Sequence, residues 1–295
     1  MNRGKNQFIF SFLVLPVGFY AVFVLFPYLS AFYFAFTRWS GMSAIIQFNG
    51  VNNFIKLFAD EKFWNALSHN AVALLFLPPI IITIALFFAF LFTQGLKFSR
   101  FFRISFFFPQ VLSVVIVAVL WGFIYHPTIG ILNSVMSVFN IEAMQSFPWL
   151  GDRRTVFGAV LGVVVWSSVG FYMVLLIAGM QTIPKDYYEA ATVDGANRWA
   201  MFTNITVPLL WDTIRTAIVF IAIGAMDMFS IVTVMTNGTG GPSRAADVVP
   251  VYLYSKAFSE GQFGYATAMG LVLLFLVLIL SIASLRLTAR ESFEY

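Results

Sequence analysis

The sequence lacks cysteine altogether, and only 10% of its 295 residues are charged, against about 25% in soluble domains. The absence of cysteine excludes disulfides, thiolate catalysis and cysteine-ligated metals. The 17 Lys+Arg and 13 Asp+Glu residues are too few to solvate a protein with 36 phenylalanines to bury. The net charge of +4 is spread over short segments, without the basic stripe typical of nucleic-acid binding. We therefore expect a lipid bilayer, not water or nucleic acid, to surround most of the chain.

Motifs that carry catalytic chemistry are also missing. There is no G-x-x-x-x-G-K-[ST], so the chain has no phosphate-cradling loop with which to hydrolyse ATP. There is no G-x-S-x-G and no H-E-x-x-H, and the two histidines, His69 and His126, lie far apart in the sequence. We expect both histidines to be solvated at the membrane interface. The sequence thus predicts a protein that is not itself an enzyme and binds no metal.

Six long apolar runs organise the sequence. A bilayer span needs about 20 mostly apolar residues, and we place spans at about 10–34, 71–94, 105–126, 156–180, 213–235 and 264–286. The first run continues to Phe36, too far for a cleavable signal peptide, whose apolar region is about 7–15 residues. We predict an all-α integral membrane protein with six transmembrane helices, forming one domain over residues 1–295.

The distribution of Lys and Arg predicts the orientation of these spans, because cytoplasmic segments carry the excess. With the amino terminus inside, ten of the 17 Lys and Arg residues fall on inner segments and seven on the longer outer loops. The short loop with Lys97, Arg100 and Arg103 is the strongest local signal. Both termini are therefore expected in the cytoplasm.

Prolines interrupt several spans. Pro16, Pro27, Pro78 and Pro79 lie inside them, where each removes a backbone donor, so we expect kinks. We place Pro109 near the start of the third span, where the missing donor matters less. Kinked helices either surround a cavity or reflect the ordinary tolerance of membrane helices for proline.

The hydrophilic loop 181–212 is too polar to enter the bilayer and too rich in helix formers to be a simple connector. We predict one helix over 185–193 and a second over 197–207, stopped by Pro208. Between them, Gly195 can take the left-handed conformation that ends a helix. Such a helical elbow is either a docking surface for a cytoplasmic partner or an ordinary amphipathic loop.

The motifs in this loop resemble a known family. They read Glu189-Ala190-Ala191, then Asp194-Gly195-Ala196, then Ile205-Thr206-Val207-Pro208-Leu209. This pattern is similar to the EAA loop of permease subunits of binding-protein-dependent ABC importers. The lead-in Ala178–Pro184 resembles the carbohydrate-uptake group, with its maltose, oligosaccharide and glycerol-phosphate permeases, and the start Leu15–Trp39 resembles the first of the two paired permeases.

The chain departs from the family pattern at two places. Ser230 follows Phe229 where family members often have Asp, and the glycine-rich run 236–242 is longer than the common one. Both lie on or beside the fifth span, which helps line the pathway in that family. The resemblance therefore says little about which sugar is carried.

The resemblance implies a type I ABC importer permease with six spans, powered by other subunits. Its partners would be a second, related permease, two cytoplasmic ATPases that bind ATP and Mg²⁺, and an extracytoplasmic sugar-binding protein docking around 41–61 and 241–260. It would lie in a bacterial or archaeal cell membrane. The implied ATPase-coupling residues are Glu189, Ala190, Ala191, Asp194, Gly195 and Arg198.

Candidate residues of the substrate pathway lie in spans four and five: Trp166, Gly170, Tyr172, Met173, Asp227, Met228 and Ser230. An acid at bilayer depth usually faces protein or water, so Asp227 either accepts hydrogen bonds from substrate hydroxyls, bonds a neighbouring helix, or relays protons. Aromatic side chains can stack on sugars, and we expect Gly170 to leave room for one. Because no Lys or Arg lies deep in the spans, a neutral polyol is favoured over an anion.

Two other classes of function compete with the importer. A secondary carrier or channel for a small polar solute would work without ATP, but it would leave the EAA-like loop unexplained. An intramembrane enzyme would need a catalytic pair, and none is apparent in the sequence.

Overall fold

The computed structural model describes residues 2–139 and 146–287, with no side chains given for 2–8, 285 and 287. The last residues of the predicted cytoplasmic carboxyl terminus, 288–295, lie outside the described residues. Fifteen α-helices and a two-stranded hairpin are present in the described part of the chain. The helices are α1 (Asn2–Tyr20), α2 (Phe26–Ala35), α3 (Asn52–Phe58), α4 (Glu61–Thr93), α5 (Ser99–Val111), α6 (Val114–Ile124), α7 (Ile131–Val138), α8 (Val156–Thr182), α9 (Asp186–Val193), α10 (Arg198–Met201), α11 (Val207–Leu209), α12 (Trp211–Met226), α13 (Phe229–Met235), α14 (Val249–Tyr254) and α15 (Phe263–Leu287). The strands are β1 (Thr37–Arg38) and β2 (Gln47–Phe48), which pair antiparallel.

The chain divides into two compact units. The first contains the residues up to Phe63 together with Tyr252–Phe275, and the second contains Trp64–Val251 and the residues from Leu276 on. The prediction of one domain over 1–295 stays a prediction.

The first unit packs the start of α15 against the end of α2. Gly264 allows this approach, because a Cβ there would lie 2.1 Å from the Thr37 carbonyl oxygen. Asp60 ties α14 and α15 to the loop before α4 by accepting hydrogen bonds from the hydroxyls of Tyr252 (2.7 Å) and Tyr265 (2.6 Å). Burial alone would raise the pKa of Asp60, but these bonds and two backbone N–H groups outweigh it and lower the pKa below its ordinary value.

The apolar helical stretch Ile9–Ala35 of the first unit has no buried residue in its most hydrophobic window. Among the described residues, its contacts are concentrated at the end of α2, where Ala35 joins a small core with Ala268 and Leu271, and most of its large apolar side chains are exposed. Such a surface is stable only against lipid or another apolar protein face.

The second unit is a helical bundle with an apolar core. Small and branched side chains of α4, α8 and α12 share the core, and fully buried members include Leu77, Ile81, Val163, Leu176 and Ala217. Gly170 of α8 lies against the backbone of α5, so these two helices approach very closely. This bundle holds the ends of α8 and α12, between which the elbow lies.

Four helices in the described part of the chain are long and apolar enough to cross a membrane, or up to six if each bent pair is one span. They are Ile9–Ala35, Glu61–Thr93, Val156–Thr182 and Phe263–Ser284, and they coincide with the first, second, fourth and sixth predicted ranges. The second begins about ten residues earlier than the range 71–94.

The third and fifth predicted ranges are not single straight helices. Helices α5 and α6 meet at 101°, because Leu112 and Ser113 are extended, with ψ of 147° and 136°. Pro109 lies in the last turn of α5, so its placement near the start of the third span is wrong. The fifth range breaks at Asp227 and Met228, between α12 and α13.

Two prolines follow π-helical segments. Ala21–Leu25 precedes Pro27, and Phe202–Thr206 precedes Pro208. A proline conflicts with the carbonyl four residues earlier in a regular helix, and a wider π turn at that point relieves the conflict. The helix therefore continues to Leu209, and the prediction that Pro208 stops it is wrong.

Candidate functional site

The elbow lies between α8 and α12, and its first helix, α9, has no buried residue. Glu189 and Ala190 are exposed, Ala191 is half-buried, and Val193 is 88% exposed. Asp194, Gly195 and Arg198, which complete the predicted coupling set, are also exposed. The exposed part of α9 therefore combines a valine, a carboxylate and a small residue.

A tight turn fixes the angle between α9 and α10. Gly195 has φ of +79°, the left-handed conformation expected from the sequence. Its N–H donates to the Thr192 carbonyl (3.1 Å) and the Ala196 N–H donates to the Ala191 carbonyl (2.9 Å), which is the Schellman arrangement. The Asn197 side chain then caps α10 by accepting a bond from the Ala200 N–H (2.8 Å).

One hydrogen bond joins the two arms of the elbow. The Tyr188 hydroxyl on α9 lies 3.0 Å from the hydroxyl of Thr206, the last residue of the π-helical segment. From Thr206 the chain runs through α11 and a 66° bend directly into α12. Tyr188 and Thr206 thus connect α9 to the segment that leads into α12.

The far end of α12 reaches a cleft of about 240 Å³. Asp227 lines this cleft at the break between α12 and α13, where its φ and ψ are −113° and 74°. Its side chain is exposed, and no hydrogen bond to it is found among the described residues. The remaining polar lining is neutral: Gln110, Ser167, Ser168 and Tyr172.

The structure brings three of the seven predicted pathway residues together, since Tyr172 and Met228 line the same cleft as Asp227. Trp166 lies instead beside a separate apolar depression of about 420 Å³. The remaining three, Gly170, Met173 and Ser230, are absent from the described lining of either recess.

Gly170 has a different role from the expected one. A Cβ at this position would lie 1.8 Å from the Phe106 carbonyl oxygen, so the missing side chain makes room for α5, not for a sugar. Met173 is fully buried in the core. Ser230 is exposed on α13.

Three further residues line the cleft that were not predicted from the sequence: Gln110, Ser167 and Ser168. Each is a neutral polar residue inside an apolar run. The pattern of charged residues, from which the spans were predicted, does not reveal such positions. Ser167 differs from Asp227 in that its hydroxyl donates to the Val164 carbonyl (3.1 Å) within the same helix.

No group of three His, Asp or Glu side chains that could hold a metal occurs in the described part of the chain. His69 is half-buried, and its Nδ1 lies 2.7 Å from the Asp247 carbonyl oxygen. His69 is therefore less solvated than expected. His126 is exposed, and its Nδ1 accepts a bond from the Thr128 N–H (3.3 Å).

The fold is that of an ABC importer permease. The chain superposes with a TM-score of 0.83 on a chain of a crystal structure of a bacterial ABC transporter involved in the import of the acidic polysaccharide alginate. The match covers 97% of this chain and 96% of that one, at 22% sequence identity. A second crystal structure, of bacterial alginate ABC transporter in complex with an alginate pentasaccharide-bound periplasmic protein, matches equally well, with a TM-score of 0.83.

Sequence comparison identifies the family. Residues 62–292 match the family described as binding-protein-dependent transport system inner membrane component, and the chain belongs to it. The chain is 37% identical to the diacetylchitobiose uptake system permease protein NgcF of Streptomyces coelicolor, over 95% of this chain and 81% of that protein. It is 28% identical to the lactose transport system permease protein LacF of Rhizobium radiobacter, over 92% and 90%.

Proposed function

We propose that this chain is a transmembrane subunit of an ATP-driven importer, and that it forms part of the path for a sugar delivered by an extracytoplasmic binding protein. The observation that carries the proposal is the exposed elbow, which is linked through Tyr188 and Thr206 to the helix that ends at the Asp227 cleft. The names of the relatives, which include permeases of uptake systems for diacetylchitobiose and lactose, support a carbohydrate as the substrate.

In the proposed mechanism, α9 docks on a cytoplasmic ATPase. Glu189 pairs with a cation of that subunit, Ala190 and Ala191 allow close approach, and Gly195 sets the angle of the turn. When two ATPases close around ATP, α9 moves, and the hydrogen bond between Tyr188 and Thr206 makes the second arm follow. The ATPases bind ATP and Mg²⁺ and hydrolyse ATP, and this chain changes conformation in response.

The cleft at the other end of α12 suits a neutral, hydroxyl-rich solute. Asp227 and the Gln110 carbonyl oxygen accept hydrogen bonds, and Ser168 and Tyr172 can both donate and accept. The Ser167 hydroxyl already donates to the Val164 carbonyl, so it can accept. No Lys or Arg is among the described lining residues. The proposed substrate is therefore an oligosaccharide or related polyol.

The apolar surface of Ile9–Ala35 requires lipid or a second permease, and we propose that a related permease completes the path. The elbow and both termini then lie on the cytoplasmic side of a bacterial or archaeal cell membrane. The binding protein docks on the opposite side, at the loops around 41–61 and 241–260.

The proposal is tested by reversing the charge on α9. We expect Glu189→Lys to abolish sugar uptake in cells while the protein still inserts, and Gly195→Asp to act in the same direction. Lys97→Gln is the control, because it changes an exposed charge on the neighbouring loop between α4 and α5 while Arg100 and Arg103 keep that loop positive. Normal uptake by both elbow variants would refute the coupling role.

A further inference from the structure

A second cleft, of about 460 Å³, lies behind the elbow. Its walls come from the ends of α4, α5 and α8 and from the segment that begins with α10. The polar groups that face it include Thr93, Gln94, Gln181 and Tyr188. The sugar path proposed above does not use this cleft, because Asp227 lines a different one.

Two arginines face this cleft, Arg103 from α5 and Arg198 from α10. Arg103 is held in place because its Nη2 donates a 2.7 Å hydrogen bond to the Phe92 carbonyl at the end of α4. Its Nε is buried and has no hydrogen-bond partner among the described residues. Because this Nε is closed to solvent, a ligand in the cleft would be bound by the other guanidinium N–H groups of Arg103, of which the bond to Phe92 uses one.

The charge of the cleft is unbalanced. No Asp or Glu is among the described residues that line it, and the ion pairs found in the described part of the chain involve neither arginine. Two guanidinium groups with hydroxyl and amide donors around them match the oxygens of a phosphate group. The cleft therefore offers uncompensated positive charge to an anion.

The depth of the cleft indicates where that anion comes from. Phe90 and Thr93, in the last turn of the long apolar helix α4, line it, so it lies where a span ends. Trp199, 61% exposed, packs on Phe90 and Phe202 with ring centroids 5.7 Å from each. Exposed aromatic side chains at a span end are typical of the interface, where the phosphates of lipid headgroups also lie.

We propose that this cleft binds the phosphate of an anionic phospholipid between Arg103 and Arg198, with an acyl chain along the aromatic group Phe90, Trp199 and Phe202. The lipid joins α5, α8 and α10 behind α9. It thereby supports the elbow from the membrane side without touching substrate.

The test measures lipid binding directly, so it does not depend on transport. The purified full-length chain is delipidated in detergent and titrated with phosphatidylglycerol or phosphatidylcholine, and bound lipids are counted by native mass spectrometry. We expect phosphatidylglycerol to bind in preference, and Arg103→Gln to weaken its binding by about tenfold, since a charge-assisted hydrogen-bonded contact is lost. The matched control is Arg100→Gln, which removes an exposed charge from the same segment but does not line the cleft.

Because Arg103 is partly buried, its variant could misfold, so Arg198→Gln provides an independent reading on an exposed side chain. We expect a smaller loss in the same direction. Equal binding of the two lipids, or an equal loss in Arg100→Gln, would overturn the proposal. So would binding of inorganic phosphate with no preference for phosphatidylglycerol, or loss of the lipid when partner proteins assemble, because a free anion or a partner's carboxylate would then be the ligand.

Discussion

Replacement of Gly170 by alanine tests the close approach of α5 and α8. The added Cβ would lie 1.8 Å from the Phe106 carbonyl oxygen and 2.4 Å from its carbon, whereas real Cβ contacts stay above 3.0 Å. These are backbone atoms that cannot rotate away, so the two helices must separate. Overpacking of this kind costs about 1–3 kcal/mol, occasionally more. We expect about 3 kcal/mol here, because no flexible side chain can absorb the displacement.

The assay is thermal unfolding of the detergent-solubilised chain, with Gly158→Ala as the control. Gly158 lies on the same helix, and a Cβ there meets nothing within 4 Å. We expect the control to be neutral or stabilised by up to about 1 kcal/mol, because alanine favours helix more than glycine does. If Gly170→Ala were as stable as Gly158→Ala, the described packing of α5 on α8 would be refuted.

Three further outcomes are expected. Gly224 lines the cleft with open space around a Cβ, so Gly224→Trp should block uptake and Gly224→Ala should not, as measured by sugar accumulation in cells. Burial raises the pKa of Asp60, but its hydrogen bonds outweigh burial and lower the pKa. The ionised Asp60 therefore stabilises the folded protein fully above the unfolded pKa of about 3.9, and this contribution is lost as pH falls through the lower folded pKa. Asp60→Asn should remove that acid-dependent loss in pH-dependent unfolding. Tyr188→Phe breaks the bond to Thr206 and should destabilise the elbow by about 1 kcal/mol, measured as faster hydrogen exchange in α9.

Much of the fold was predictable because charge is so rare in this sequence. Four of the six predicted ranges coincide with long helices, and Gly195 takes the left-handed turn that its position between two helical patterns predicts. The bend at Leu112 and Ser113 was not predictable, because neither residue is a strong helix breaker. The helix through Pro208 was missed since a π turn compensates for the proline.

The site was predictable in outline only. An acid in an apolar run marks Asp227 from sequence alone, but spacing along α8 cannot tell which face meets a cleft and which meets α5. That distinction separates Tyr172, which lines the cleft, from Gly170, which packs on a backbone. Tertiary packing decides it, and helix periodicity in a uniformly apolar span carries little information about it.

The central claim is that this chain is part of a sugar importer and that its elbow couples transport to ATP hydrolysis. This claim is tested most directly in proteoliposomes. The native assembly is purified through this chain, reconstituted, and assayed for ATP hydrolysis and sugar uptake with a panel of sugars and their binding proteins. We predict that an ATPase copurifies, that its turnover rises with one sugar-loaded binding protein, and that Glu189→Lys abolishes the rise. Uptake driven by an ion gradient, with no nucleotide-binding partner, would contradict the account and would make Asp227 the candidate for ion coupling.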